Sequence, residues 1–191
     1  EDFPADALIR IHVERGEMAE ALALRPVVTR WAESVDLQDH GRSALDQAVL
    51  FRCERSHREA FASARQAIGT FMVSGIVATA AEALTEAAAA AFALREPDLL
   101  LPLMDEFARL PPGRRSQRVE GHMARISAGL AALGGDAPRA ESSFKAALGR
   151  YREIRMPFWL GVALLEYGEW LAGDGRMAEA EPLLVEARRG L

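Results

Sequence analysis

Apolar and polar residues follow one another along this chain with the spacing of amphipathic helices, and no stretch shows the strict alternation of a half-buried strand. Short turn signals rich in glycine and proline separate the helical stretches. The pattern predicts an all-α domain in which short turns make successive helices antiparallel neighbours. Ten helices are expected, at about 4–14, 17–33, 41–55, 56–69, 75–94, 98–110, 114–133, 136–154, 157–172 and 177–191.

Particular residues set several of these boundaries. Pro26 lies inside the second predicted helix and should kink or split it, because proline lacks a backbone donor. Ser56 followed by Glu59 has the spacing of a capping box, and Asp136 can cap the helix that follows it.

The predicted helices pair, and the pairs repeat. A turn followed five residues later by a small residue recurs, with the small residue at Ala21, Ala60, Ala140 and Ala180. A weaker copy puts Glu96 in the turn and Leu101 at the fifth place, so the anchors are 39, 41, 39 and 40 residues apart. A period of about 40 residues is typical of helix-pair arrays. The expected repeats cover about 4–34, 41–69, 75–110, 114–154 and 157–191 of a single domain.

The best-preserved copy runs from Leu130 through the Gly135-Asp136 turn to Ala140, Phe144 and Ala147. It resembles the turn and second helix of a tetratricopeptide (TPR) repeat. The resemblance implies a right-handed α-solenoid of about five antiparallel helix pairs. The first helices depart from the family pattern, since its early tryptophan position reads Ala124 and Leu164, and the period exceeds the usual 34. In these respects the chain is similar to the arrays of bacterial multi-domain signalling proteins, such as ATPase/helix-turn-helix regulators and nucleotide cyclases.

In TPR-like arrays the first helix of each pair lines a concave surface, and the family register carries a set of residues onto that surface. The candidate binding residues are Arg42, Arg52, Arg118, His122, Arg125 and Glu169. The arginines form two basic clusters that could grip carboxylates in two-point geometry. The same residues could equally form solvated helix faces paired with acids such as Glu86 and Glu120. Phe158, Trp159 and Trp170 could form an aromatic binding floor or pack the core.

Composition narrows the function. The net charge of −5 disfavours direct nucleic-acid binding, and the single cysteine and the acidic N-terminus without a signal peptide agree with the cytoplasm. The apolar stretch 71–94 is interrupted by Glu82 and Glu86, so a buried helix is expected there and no membrane contact. No catalytic constellation, metal site or cofactor motif is found, so no enzyme activity and no cofactor are expected. The missing initiator methionine and the helical end lead us to expect a piece of a longer protein, and the excess of arginine over lysine together with the many alanines leads us to expect a bacterial source.

Two functions therefore stay open. The first is a non-catalytic interaction or regulatory scaffold module, which would bind a peptide or another domain of the same protein on its concave face. The second is an effector-sensing domain of a transcriptional regulator, signalling ATPase or cyclase, in which the arginine clusters would select a small anionic ligand. Self-association through an exposed terminal helix pair would give an oligomer in either case.

Overall fold

Short turns divide the chain into helices of similar length. The computed structural model describes residues 5–190, so Pro4 and Leu191, where the first and last predicted repeats begin and end, lie outside the described residues. Within this range the secondary structure consists of α-helices and two 3-10 helices, as the all-α prediction requires. The α-helices α1–α11 are Ala5–Glu14, Met18–Ala23, Arg25–Trp31, Leu37–Cys53, His57–Val73, Val77–Leu94, Leu101–Ala108, Gln117–Leu133, Ala137–Glu153, Pro157–Gly173 and Met177–Gly190, and the 3-10 helices are Pro97–Leu100 and Pro112–Arg114.

The helices form two compact units, the first ending at Leu110 and the second beginning at Pro111. In the first unit α4 pairs with α5, α5 packs on α6, and the first helices α1, α4 and α6 contact one another in that order. In the second unit α8 pairs with α9 and α10 pairs with α11, while α9 packs on α10. Separate apolar clusters support the units, one around Ile9, Leu50 and Val28, the other around Phe144 and Leu164.

Most of the turns use one backbone device. A residue with positive φ ends the helix at Arg55, Gly75, Arg95, Gly135, Arg155 and Gly175. The next residue donates its N–H to the carbonyl five positions back, as in Met156 N to Tyr151 O at 3.0 Å. This is the Schellman arrangement, which satisfies carbonyls left over at a helix end. From Arg55 onward the left-handed residues recur every 20 positions, with a break at 115, where Pro111 and Pro112 lead into a 3-10 helix at the boundary of the units. Gly16 is left-handed as well but does not fit this spacing.

The turn positions correct one anchor of the predicted repeat. Ala21, Ala60, Ala140 and Ala180 are buried as expected, but Leu101 is 51% exposed. The left-handed turn residue of this copy is Arg95, not Glu96, and the fifth residue after it is Leu100, which is fully buried. The sequence register was one residue late here, because the turn residue is an arginine and the anchor a leucine, where the other copies have an alanine anchor.

The paired helices approach each other closely at three glycines, because glycine has no side chain to separate the helices. A Cβ on Gly41 would lie 2.9 Å from the ring of Phe71, and one on Gly121 would lie 2.8 Å from that of Tyr151. In the last pair a Cβ on Gly168 would lie 2.7 Å from Leu184. Such distances are too short for carbon atoms in contact, so these positions exclude larger residues.

Local predictions have mixed outcomes. The helix around Pro26 is split into α2 and α3, and the Asp136 carboxylate accepts a hydrogen bond from Arg139 N at 3.1 Å, both as predicted. The capping box at Ser56 is wrong, because the Ser56 side chain makes no capping hydrogen bond. The third predicted helix begins earlier than expected, at Leu37, where the Asp36 side chain caps it through Gln38 N at 2.8 Å.

The apolar stretch predicted to be a buried helix contains α6. Within the described residues α6 is the one helix long and apolar enough to cross a membrane, but 56% of it is buried inside the protein. Its buried residues include Ala80, Ala83, Leu84 and Ala87. The helix therefore serves as a core element of the first unit.

The left-handed arginines generate a stability prediction. A non-glycine residue in this conformation costs about 1–2 kcal/mol, partly offset because glycine loses more chain entropy on folding. Arg155→Gly is therefore expected to raise the free energy of unfolding by about 0.5–1 kcal/mol, measured as a higher urea midpoint at unchanged m value. The matched control is Ala146→Gly, at an exposed right-handed position inside α9, where a loss of about 1 kcal/mol is expected. Equal losses in both variants would contradict the assignment.

Candidate functional site

A cavity of about 380 Å³ opens among the first helices of the first unit, within the size range of small-ligand sites. Helix α1 supplies Asp6 and Arg10, and α4 supplies Arg42 and Asp46. In each helix the two residues are four apart, which places both on one face. The rest of the lining comes from α1, α4, α5, and α6 with the turn before it: Ala7, Gln38, Leu45, Phe71, Ile76, Thr79 and Glu82.

Ion pairs use up most of the charge in this cavity. Arg10 Nη1 donates to Glu82 Oε2 at 2.8 Å, and Arg42 Nε lies 3.7 Å from Asp6 Oδ2. The lining contains three carboxylates and two guanidiniums, so Asp46 is the one carboxylate of the cavity that forms no ion pair with these two arginines. Its two carboxylate oxygens are buried and accept no hydrogen bond, and neither does Asp6 Oδ1.

Asp46 is the most unusual of these groups. The residue is fully buried, and burial raises the pKa of its carboxyl to about 7. The negative charges of Asp6 and Glu86 act in the same direction, while Arg10 and Arg42 oppose them. The carboxyl is consequently half protonated near neutral pH, which marks it as a candidate functional group.

The two predicted residues in the first unit differ in their surroundings. Arg42 lines the cavity, and its side chain is 52% exposed. Arg52 instead binds Glu86 of α6, with Nε to Oε2 at 2.7 Å and Nη2 to Oε1 at 3.5 Å. Arg52 therefore already binds a carboxylate of the protein itself at two points.

The four predicted residues of the second unit form no open basic surface. His122 is fully buried, and the Tyr151 hydroxyl lies 2.9 Å from its Nδ1. Burial, followed by the charges of Arg125 and Arg118, lowers the pKa of His122 to about 3, so the ring is neutral and Nδ1 accepts a hydrogen bond from the hydroxyl. Arg125 is 9% exposed and donates to Glu166 Oε1 at 2.5 Å.

The remaining two predicted residues are more accessible. Arg118 is half-buried and has interactions of its own, and Glu169 is exposed on α10. The exposed placement leaves Glu169 available to a partner. In contrast, burial places His122 and Arg125 inside the packed interface of α8 with α9 and α10.

The aromatic residues of this unit favour the packing interpretation. The Trp159 ring lies edge-on to His122, with centroids 4.7 Å apart, and the Arg125 guanidinium lies 5.1 Å from the Trp159 ring. Trp170 lies against the rings of Phe144 and Tyr167. Phe158 is 37% exposed and contacts Trp159 edge-on.

Another cavity of the first unit, of about 760 Å³, lies between α5 and the 3-10 helix that precedes α7. Phe61, Ile68 and Leu103 give it apolar walls, with Arg65 and Glu106 among its charged residues. Its lining contains none of the buried, unpartnered polar atoms found among the described residues. The smaller cavity is therefore the better candidate site. Within 5–190, no cluster of three or more histidine, cysteine or acidic side chains could hold a metal ion.

Comparison with known proteins identifies the fold. The crystal structure of BtubC (BKLC) from P. vanneervenii matches with a TM-score of 0.62 at 18% sequence identity, over 97% of this chain and 78% of that chain. A putative kinesin light chain from Podosopora anserina, with nearly identical TPR-like repeats, matches with a TM-score of 0.57 at 17% identity, over 97% and 92% of the two chains. No family model and no curated protein matches the sequence. The chain therefore has a TPR-like helical fold, as its repeat predicted.

The buried Asp46 gives a pH prediction. Its folded-state pKa of about 7 exceeds the ordinary 3.8, so the folded state binds more protons between these values and loses stability as pH rises through 7. Asp46→Asn removes the charge at similar shape. It should raise the free energy of unfolding by about 1–3 kcal/mol at pH 8 and change it little at pH 4. Urea unfolding at both pH values measures this. Asp105→Asn, at an exposed carboxylate on α7, should show no such pH dependence, and a flat response of Asp46→Asn would refute the assignment.

The His122–Tyr151 pair gives a second prediction. Tyr151→Phe leaves His122 Nδ1 buried without a donor, which should cost about 1–3 kcal/mol in urea unfolding. Tyr151→Phe combined with His122→Leu removes both partners and should lose less than the sum of the two single changes. Additive losses would show that the hydrogen bond contributes nothing.

Proposed function

We propose that this domain is a non-catalytic interaction module that binds a peptide segment on the face made by α1, α4 and α6. The segment belongs to a partner protein or to another domain of the same protein. The observation that supports this proposal is the cavity on that face, with carboxylate oxygens of Asp6 and Asp46 that lack hydrogen-bond donors. Buried polar atoms are rarely left unsatisfied, and a ligand is one way to satisfy them.

The fold suits such a role. Stacked helix pairs present the surfaces of their first helices side by side, and repeat proteins use these surfaces for extended ligands. In the first unit the three helices supply both apolar and charged side chains to one cavity. Binding there requires no cofactor and no reaction, and we place the domain in the cytoplasm as a scaffold of a bacterial signalling protein.

A small anionic effector is the second candidate, and the half-exposed guanidinium of Arg42 favours it. Its distance of 3.7 Å from Asp6 leaves donor capacity at the cavity edge. The other charges weigh against this ligand, because Arg52 is already paired with Glu86 and the cavity contains more carboxylates than guanidiniums. The peptide proposal agrees better with this balance.

Selection from a random peptide library displayed on phage tests the proposal. Binding peptides are expected to protect α1, α4 and α6 from amide hydrogen exchange. Thr79→Trp fills the cavity from α6 without changing charge and should weaken peptide binding at least tenfold. The control is Ala89→Trp, at an exposed position of the same helix, which should bind as the native chain does.

Each alternative gives a different result. Peptides that bind equally well to both tryptophan variants, or that protect only the second unit, would move the site elsewhere. A protein that selects no peptide but is stabilised by anionic metabolites in thermal-shift measurements would favour the effector function. Circular dichroism of both variants separates loss of binding from loss of fold.

A further inference from the structure

We propose that the α1–α4–α6 cavity receives the guanidinium of an arginine side chain in the bound peptide, with Asp46 as its principal counterion. This inference rests on the proposed peptide-binding function and specifies the ligand chemistry. It reverses the charge expected from the arginine clusters in the sequence, since the ligand would be basic and the protein would supply the carboxylates.

The repeat itself supplies the first argument. Asp46, Glu86 and Glu166 occupy equivalent positions on the first helices α4, α6 and α10, and the equivalent position of α8 is the apolar Ile126. Glu86 binds Arg52 of the first helix that precedes α6, and Glu166 binds Arg125 of the first helix that precedes α10. At both positions, therefore, an acid is matched by a guanidinium from the preceding repeat.

Asp46 lacks this partner. The preceding first helix, α1, does carry an arginine, but Arg10 donates to Glu82 one repeat further on. Both Asp46 oxygens are left without a hydrogen bond, and Asp6 Oδ1 in the same cavity also accepts none. A guanidinium has five N–H donors in a planar fork, so it can satisfy several such oxygens at once. Because the Asp46 oxygens are fully buried, this binding requires the side chains that cover them to move aside. A peptide arginine would thus complete at Asp46 the arrangement that Glu86 and Glu166 make within the protein.

The walls of the cavity fit the rest of an arginine side chain. Leu45, Phe71, Ile76 and Ala7 present apolar surface beside the carboxylates. Long basic side chains bury their methylene stems against such surface while their charged ends are paired. An anionic group would meet the carboxylate excess of the cavity instead, and a metal ion would need a cluster of ligands that the described residues do not form.

The energetics are consistent with a site kept ready for a cation. A buried carboxylate without a partner destabilises the ligand-free protein, and a bound guanidinium removes that penalty. The charged groups around Asp46 are Asp6 and Arg10 on α1, Arg42 on α4, and Glu82 and Glu86 on α6. Because burial holds the pKa of Asp46 at about 7, the ionised form that binds a cation increases from pH 6 to pH 8. Affinity should rise over the same range.

The test is an NMR titration of the ¹⁵N-labelled chain with blocked peptides that differ at one central residue: arginine, lysine, citrulline or glutamate. Arginine peptide is expected to shift amide signals of α1, α4 and α6, and neutral citrulline should bind at least tenfold more weakly. Asp46→Asn should weaken arginine-peptide binding at least tenfold and abolish its rise between pH 6 and 8. Asp105→Asn should leave both unchanged.

Several outcomes would overturn the inference. These are equal binding of arginine and citrulline peptides, tighter binding of the glutamate peptide, or an unaffected Asp46→Asn variant. Tighter binding of free spermidine than of the arginine peptide at the same signals would assign the cavity to a free polyamine. Because Asp46→Asn is expected to stabilise the fold, its loss of binding would not reflect unfolding. If library-selected peptides occupy this face without basic residues, the inference fails while the proposed function stands.

Discussion

Close approach of the two helices in each pair is the constraint on which the rest of the structure depends. The first helices meet it with a buried small residue every 40 positions, at Gly41, Ala81, Gly121 and Gly161. A ring at the end of the second helix fills the space against the two glycines of α4 and α8. Since α4, α5, α8, α9 and α10 each have 17 residues and the turns after them add three, the left-handed turn residues from Arg55 onward recur at 20-residue steps, with a break at 115. The positions of the turns and of the small residues that allow close packing therefore follow the same 40-residue repeat.

This period explains why the fold could be predicted from the sequence and where the prediction was wrong. Alanine anchors and glycine turns identify four of the pairs, because helix contact needs small residues and left-handed turns favour glycine. The third pair uses Arg95 in its turn and Leu100 as its anchor, and neither residue type signals such a role. The first-helix glycines were missed, although their spacing of 80 residues between 41 and 121 is visible in the sequence.

The candidate site was less accessible to sequence reasoning, because its chemistry depends on which charges pair across helices. The helical register identified Arg42 and Arg52 as face residues but could not show that Glu86 binds one of them from 34 residues away. Asp46 gave no signal, since an isolated aspartate in a helix is ordinary. Asp46 stands out in the structure because no donor forms a hydrogen bond with its buried oxygens. A sequence pattern shows residue types and cannot show that a contact is missing.

Buried acids of the two units differ in whether a guanidinium pairs with them, and this contrast argues for binding in the first. In the second unit His122 stays neutral and accepts a hydrogen bond from Tyr151, while Arg125 and Glu166 neutralise each other. The charges of this network balance within the unit, although His122 Nε2 and Arg125 Nε are buried without a hydrogen-bond partner. In the first unit Asp46 keeps a carboxylate without a hydrogen bond at the position where Glu86 and Glu166 are paired with arginines. A residue whose own burial destabilises the fold is best explained by an interaction that the isolated chain does not supply.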